Sequence, residues 1–77
     1  PDFVFERIST TVEDKLCNSE EREKELIAEI NDDILAYRTK YRNLIFVVYD
    51  LGVIRDQDQF KESIEAQDNV ILLIIKH

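Results

Sequence analysis

Asp2, Glu13, Asp14 and Lys15 are the residues of this chain best suited by type and spacing to act together. In a strand, side chains two apart share a face, so Glu13 and Lys15 point one way while Val12, Asp14 and Leu16 point the other. A preceding antiparallel strand that begins at Asp2 brings a second carboxylate to the Glu13 end of its neighbour. Two acids and an ammonium around one gap suit a divalent-metal phosphodiesterase centre. There the acids hold a hard cation through oxygen, the cation acidifies a bound water, and Lys15 positions that water or stabilises developing charge. The ordinary reading of a Glu–Lys pair on a strand is a solvated pair of little energetic worth, and the part played by Asp2 depends wholly on hairpin register.

Composition narrows the chemistry. The chain has 77 residues with one Cys and one His, which excludes a zinc site built from nitrogen and sulfur and leaves an oxygen-held cation, Mg2+ or Mn2+. Cys17 has no cysteine partner, so no internal disulfide forms, and a reducing, cytoplasmic location is expected. No stretch is apolar for long enough to span a bilayer, so no membrane partner is expected. Seventeen acidic residues against ten basic ones give a formal net charge of −7. That charge repels a polyanion, so tight nucleic-acid binding needs a metal or a locally basic surface. With 44% apolar and 35% charged residues the composition is globular, and the length makes residues 1–77 one small domain, read as a fragment of a longer chain.

The elements that must hold these residues follow from local pattern. Residues 3–8 and 10–17 read as two adjacent strands turning near Ser9; the lack of Gly, Asn or Asp at that turn favours a longer or bulged connection. Asn18 or Ser19 caps a helix over about residues 19–40, with Asn18 and Glu21 at capping-box spacing. Leu26, Ile27, Ile30, Ile34, Tyr37 and Tyr41 form its apolar stripe, and Arg38, Lys40 and Arg42 gather at its end. The apolar runs 43–50 and 69–76 read as strands buried on both faces, separated by a short helix over about residues 57–66 capped by Asp56 or Asp58. The expected order is β-β-α-β-α-β, an α/β fold with a mixed central sheet covered by helices and right-handed parallel crossovers.

Pro1-Asp2 followed by Glu13-Asp14-Lys15 resembles the PD-(D/E)XK motif of restriction-endonuclease-like nucleases. The resemblance continues through Glu29, Asp33 and Tyr37 on the helix and Val47-Val48-Tyr49-Asp50 on the next strand, and so covers nearly the whole chain. It implies that Asp2 and Glu13 are metal ligands, that the backbone carbonyl of Asp14 is a further ligand, and that Lys15 orients the attacking water. It makes Glu29 an auxiliary site residue. Three departures stand beside it: Asp14 occupies a position that is usually apolar, Cys17 follows closely, and the family core's N-terminal helix and first strand are absent from the sequence.

Two functions compete on these grounds. The first is a restriction-like endonuclease hydrolysing DNA with a Mg2+ or Mn2+ cofactor, water as nucleophile and no covalent intermediate. The second is a non-catalytic nuclease-like module for interaction or oligomerisation, and a homodimer across an exposed sheet edge is compatible with either. Glu29 and Asp33 read more simply as bordering the core than as lining the site, the charged run 20–25 as a solvated helix face, and the three tyrosines as packing residues. His77 and Cys17 carry no expected role in catalysis.

Overall fold

A computed structural model describes residues 2–76. A short strand, β1 (Phe3–Phe5), leads through a single 3-10 turn (Glu6–Ile8) into β2 (Thr10–Cys17). Helix α1 (Glu20–Tyr37), strand β3 (Asn43–Asp50), helix α2 (Gln57–Glu65) and strand β4 (Val70–Lys76) complete the order β-β-α-β-α-β. The four strands form one sheet in the order β1-β2-β3-β4, with β1 antiparallel to β2 and the remaining pairs parallel. The mixed α/β architecture expected from the sequence is therefore present.

The β1–β2 corner explains how a hairpin forms without a turn glycine. Ser9 takes the left-handed conformation at φ 48°, and the 3-10 turn before it lengthens the connection. A left-handed non-glycine residue costs about 1 kcal/mol or more. Here Ser9 is tied on three sides: its N–H donates to the Glu6 carbonyl at 3.1 Å, and its hydroxyl and carbonyl accept from the N–H groups of Arg42 and Asn43, each at 2.9 Å. The first strand is accordingly shorter than the sequence pattern predicts, ending at Phe5.

Helix α1 starts at Ser19, whose hydroxyl accepts from the Arg22 N–H at 3.1 Å, so Ser19 and not Asn18 is the cap. It stops at Tyr37, which leaves Arg38, Lys40 and Arg42 in the turn beyond it. Leu26, Ile30 and Ile34 recur every four residues and are fully buried against Leu44, Phe46 and Val48 of β3 and Leu72 of β4. Each such side chain contributes about 1.5–3 kcal/mol on leaving water. Helix α2, capped by Asp56, adds Phe60 and Ile64 to the same core.

One expectation is corrected. Strands β3 and β4 are not buried on both faces: burial alternates along them, and Tyr49, Ile71, Leu73 and Ile75 are each between about two-fifths and one-half exposed. The reason is topological. The strands step across the sheet in one direction, and right-handed crossovers then place α1 and α2 on the same side. The same alternation leaves Leu16 of β2 exposed and buries its polar positions Thr11 and Glu13 on the helix side.

Candidate active site

The β1–β2 register sets the geometry of the acids. Phe3 lies opposite Val12, which aligns Asp2 with Glu13, and the Thr11 hydroxyl, fully buried, donates to the Phe3 carbonyl at 3.2 Å and anchors the short strand. The Asp2 Oδ2 atom accepts the Asp14 N–H at 2.6 Å. That bond, the largest influence on it, holds the Asp2 carboxyl below its ordinary range, and the Glu13 side chain lies within hydrogen-bonding reach. Glu13 is 7% exposed, on the helix side of the sheet, where the Tyr37 hydroxyl also reaches it. Burial first, and then the negative charge of Glu13, push the Tyr37 hydroxyl up, so it stays protonated and serves as a donor at neutral pH.

Lys15 shares the helix side with Glu13, two residues further along β2, but its ammonium turns toward α1. It lies 2.7 Å from Glu29 Oε1 and 2.7 Å from Asp33 Oδ2, one helical turn apart. Burial works to lower the affinity of Lys15 for its proton, and the two carboxylates outweigh it, so the lysine is held charged. Asp33 Oδ2 is buried, and the Lys15 ammonium 2.7 Å away is the cation that balances it. Glu29 is also gripped by Arg22, whose Nη1 is 2.7 Å from Oε2. Arg22 foremost, then Lys15, lowers the Glu29 carboxyl from 4.5 to about 2.

The structure thus places Asp2 and Glu13 side by side and Lys15 on the Glu13 face, while the Asp14 side chain is exposed on the opposite face and only its backbone borders the site. It also pairs Glu29 and Asp33 with the lysine, a contact that reading them as bordering the core did not include. Arg22 was treated in sequence as part of a solvated face. Its position seven residues before Glu29, two turns of helix, was the available signal.

The donor set can be tested for a hard cation. Among the described residues no cluster of three or more His, Cys, Asp or Glu side chains is arranged to hold a metal ion. Mg2+ is ordinarily held by one or two carboxylates together with water and substrate phosphate oxygens, and the Asp2–Glu13 pair supplies that many. All its donor atoms are oxygen, so the pair fits Mg2+ or Mn2+ and not a soft metal. Cys17 is fully buried; burial and then the Asp50 charge raise its thiol, which makes it a poor nucleophile or ligand.

Asp50 at the end of β3, part of the motif-like Val47–Asp50 segment, has a different use. It is fully buried, and its Oδ1 accepts from the N–H groups of Val53 at 2.7 Å and Ile54 at 3.2 Å, while Oδ2 accepts from Gln57 Nε2 at 3.1 Å. Burial opposes ionisation, yet these donors prevail and keep the carboxyl below its ordinary range. No helix in the described residues is long and apolar enough to cross a membrane. Compared with known proteins, the chain matches over residues 1–77 the family model described as REase_DpnII-MboI, whereas no curated protein and no solved structure matches.

Proposed function

The chain belongs to the DpnII-MboI restriction endonuclease family, whose members are DNA-cleaving nucleases, and on that premise we propose that residues 1–77 act as one nuclease-like domain hydrolysing DNA phosphodiester bonds with Mg2+ or Mn2+. The observation that carries this reading is the alignment of Asp2 with Glu13 across the β1–β2 pair, with Lys15 two residues beyond on the Glu13 face. Asp2 and Glu13 would hold the cation, joined by the Asp14 carbonyl. A bound divalent cation supplies Lewis-acid polarisation of a phosphate oxygen and a more acidic water. Tyr37 donates to Glu13 and keeps its carboxylate oriented. Lys15 carries a fixed positive charge for the developing negative charge on the phosphate, and Glu29 and Asp33 aim it.

A cytoplasmic location accompanies this assignment, because the lone Cys17 is buried and has no cysteine to pair with. The test is cleavage of a plasmid by the purified chain with Mg2+, with Mn2+ and with excess chelator. Cleavage is expected only with metal, and Glu13→Gln is expected to abolish it; full activity in chelator would refute the metal role.

The uncovered sheet face favours a second reading, a nuclease-like module that associates with a copy of itself or another protein. Leu16, Tyr49, Ile71, Leu73 and Ile75 present an apolar surface of the kind that marks association sites. Calorimetry with Mg2+ and sedimentation separate the two readings. Metal uptake lost in Glu13→Ala supports the enzyme, whereas no uptake together with a concentration-dependent mass supports the module.

A further inference from the structure

A chain of net charge −7 that takes DNA as substrate needs a place where the polyanion can approach, and the charge is not evenly spread. From Ile34 to Tyr49 there is no Asp or Glu, and the turn leaving α1 places Arg38, Lys40 and Arg42 within five residues, three of the ten basic residues of the chain. Arg38 and Arg42 both line a cleft of about 520 Å3 formed by this turn, the start of β3 at Leu44 and the α2–β4 turn at Ala66–Asn69. Among the described residues neither guanidinium forms an ion pair, although Lys15, Arg22 and Arg55 all do. Asp68 also lines the cleft and offsets one of the two charges, so the lining is net positive in a strongly negative molecule.

The simpler account is that basic residues complement the carbonyls at the ends of α1 and α2, which both finish here. That account explains their sign but not why two guanidiniums, each able to offer a fork of donors matched to phosphate oxygens, border one cleft without a carboxylate partner. The site also lies at the opposite end of α1 from the helix start, with the Asp2–Glu13 pair flanking the same helix through Tyr37. Tyr37, which reaches Glu13, directly precedes Arg38 in the chain.

We propose that this cleft binds a backbone phosphate of the DNA substrate through Arg38 and Arg42, supplying the local positive charge that the rest of the chain lacks. The proposal rests on the nuclease reading above. Because phosphates carry no sequence information, these contacts position the duplex without selecting its sequence.

The test is the salt dependence of binding to a 16-base-pair duplex, with Ca2+ in place of Mg2+ and the duplex checked for cleavage, for the unchanged chain, for Arg38→Gln/Arg42→Gln, and for Lys24→Gln/Lys61→Gln as a control of equal charge change. Each lost phosphate contact lowers the slope of log K against log salt by about 0.9. Losing the one phosphate contact in the arginine pair variant is expected to lower it by about 0.9 and to weaken binding about tenfold or more at low salt, equally on two unrelated duplex sequences. The control should shift it by far less. An unchanged slope in the arginine variant, or an equal change in the control, overturns the proposal, as does a loss confined to thermal stability. Plasmid cleavage by the unchanged chain is read in parallel, so failure of the cleft leaves cleavage intact whereas failure of the nuclease reading removes it.

Discussion

Two acidic corners lie on neighbouring strands and have opposite characters. At the end of β3, the oxygens of Asp50 accept two backbone N–H groups and a glutamine amide inside the protein, so the carboxylate is consumed in holding the β3–α2 loop. At the β1–β2 pair, Asp2 and Glu13 face each other, and the nearby cation, Lys15, is drawn to a different pair of carboxylates. A buried acid surrounded by donors stabilises a fold; two acids set against each other repel unless a cation or proton stands between them. The contrast shows that closeness to the motif is a weaker guide to chemistry than the count of donors each carboxylate already has.

The largest expected effect tests the Asp2–Glu13 corner. Glu13→Gln keeps shape and neutralises one acid, so cleavage is expected to fall by about a thousandfold or more while the urea midpoint changes little. A matching loss of stability would make the corner structural, like that of Asp50. Lys15→Ala is expected to lower cleavage by about a hundredfold or more, but not as a purely chemical lesion. The lysine is 12% exposed, and its removal strands the buried Asp33 oxygen, at a cost of about 1–3 kcal/mol.

The reverse pattern is expected for Asp50→Ala. It orphans the Val53 and Ile54 N–H groups and removes a fully buried charge-assisted network, so urea denaturation should show a loss of about 3 kcal/mol. Residual cleavage by the folded fraction, normalised to protein that survives, should stay near that of the unchanged chain. A selective loss of cleavage at full stability would move Asp50 into the active site and erase the contrast.

Strand β2 was legible because its pattern, its boundaries and its two-residue alternation are all local properties, and so were the stripe of α1 and the span of β3. The sided burial of β3 and β4 was not legible, because a continuous apolar run says only that water is disfavoured, whereas which face is covered depends on the direction in which successive strands are added. The Asp2–Glu13 alignment followed from the expected hairpin, but the partners of Lys15 did not. Glu29 and Asp33 are a turn apart on a helix whose rotation over the sheet is fixed by Leu26, Ile30 and Ile34, and single-residue spacing does not give that rotation. The use of Asp50 was equally hidden, since its donors come from a loop with no periodicity.

The smallest expected effect concerns the shell around the lysine. Glu29 is held at about 2 by Arg22 and Lys15, against 4.5 when free. The folded state thus binds the Glu29 proton less readily than the unfolded chain does, and its contribution to stability is present in full above the free value and lost as pH falls from about 4.5 toward 2. Because the side chain is 38% exposed, solvent screening reduces that contribution to about 1 kcal/mol. Glu29→Gln should therefore lower stability by about that amount at pH 7, flatten the acid limb of the stability profile, and leave a difference of only a few tenths near pH 2. Its effect on cleavage should be modest, since Asp33 still holds Lys15. Should cleavage fall as far as in Glu13→Gln, Glu29 would belong with the reacting groups, and the division between acids that touch substrate and acids that aim the lysine would have to be redrawn.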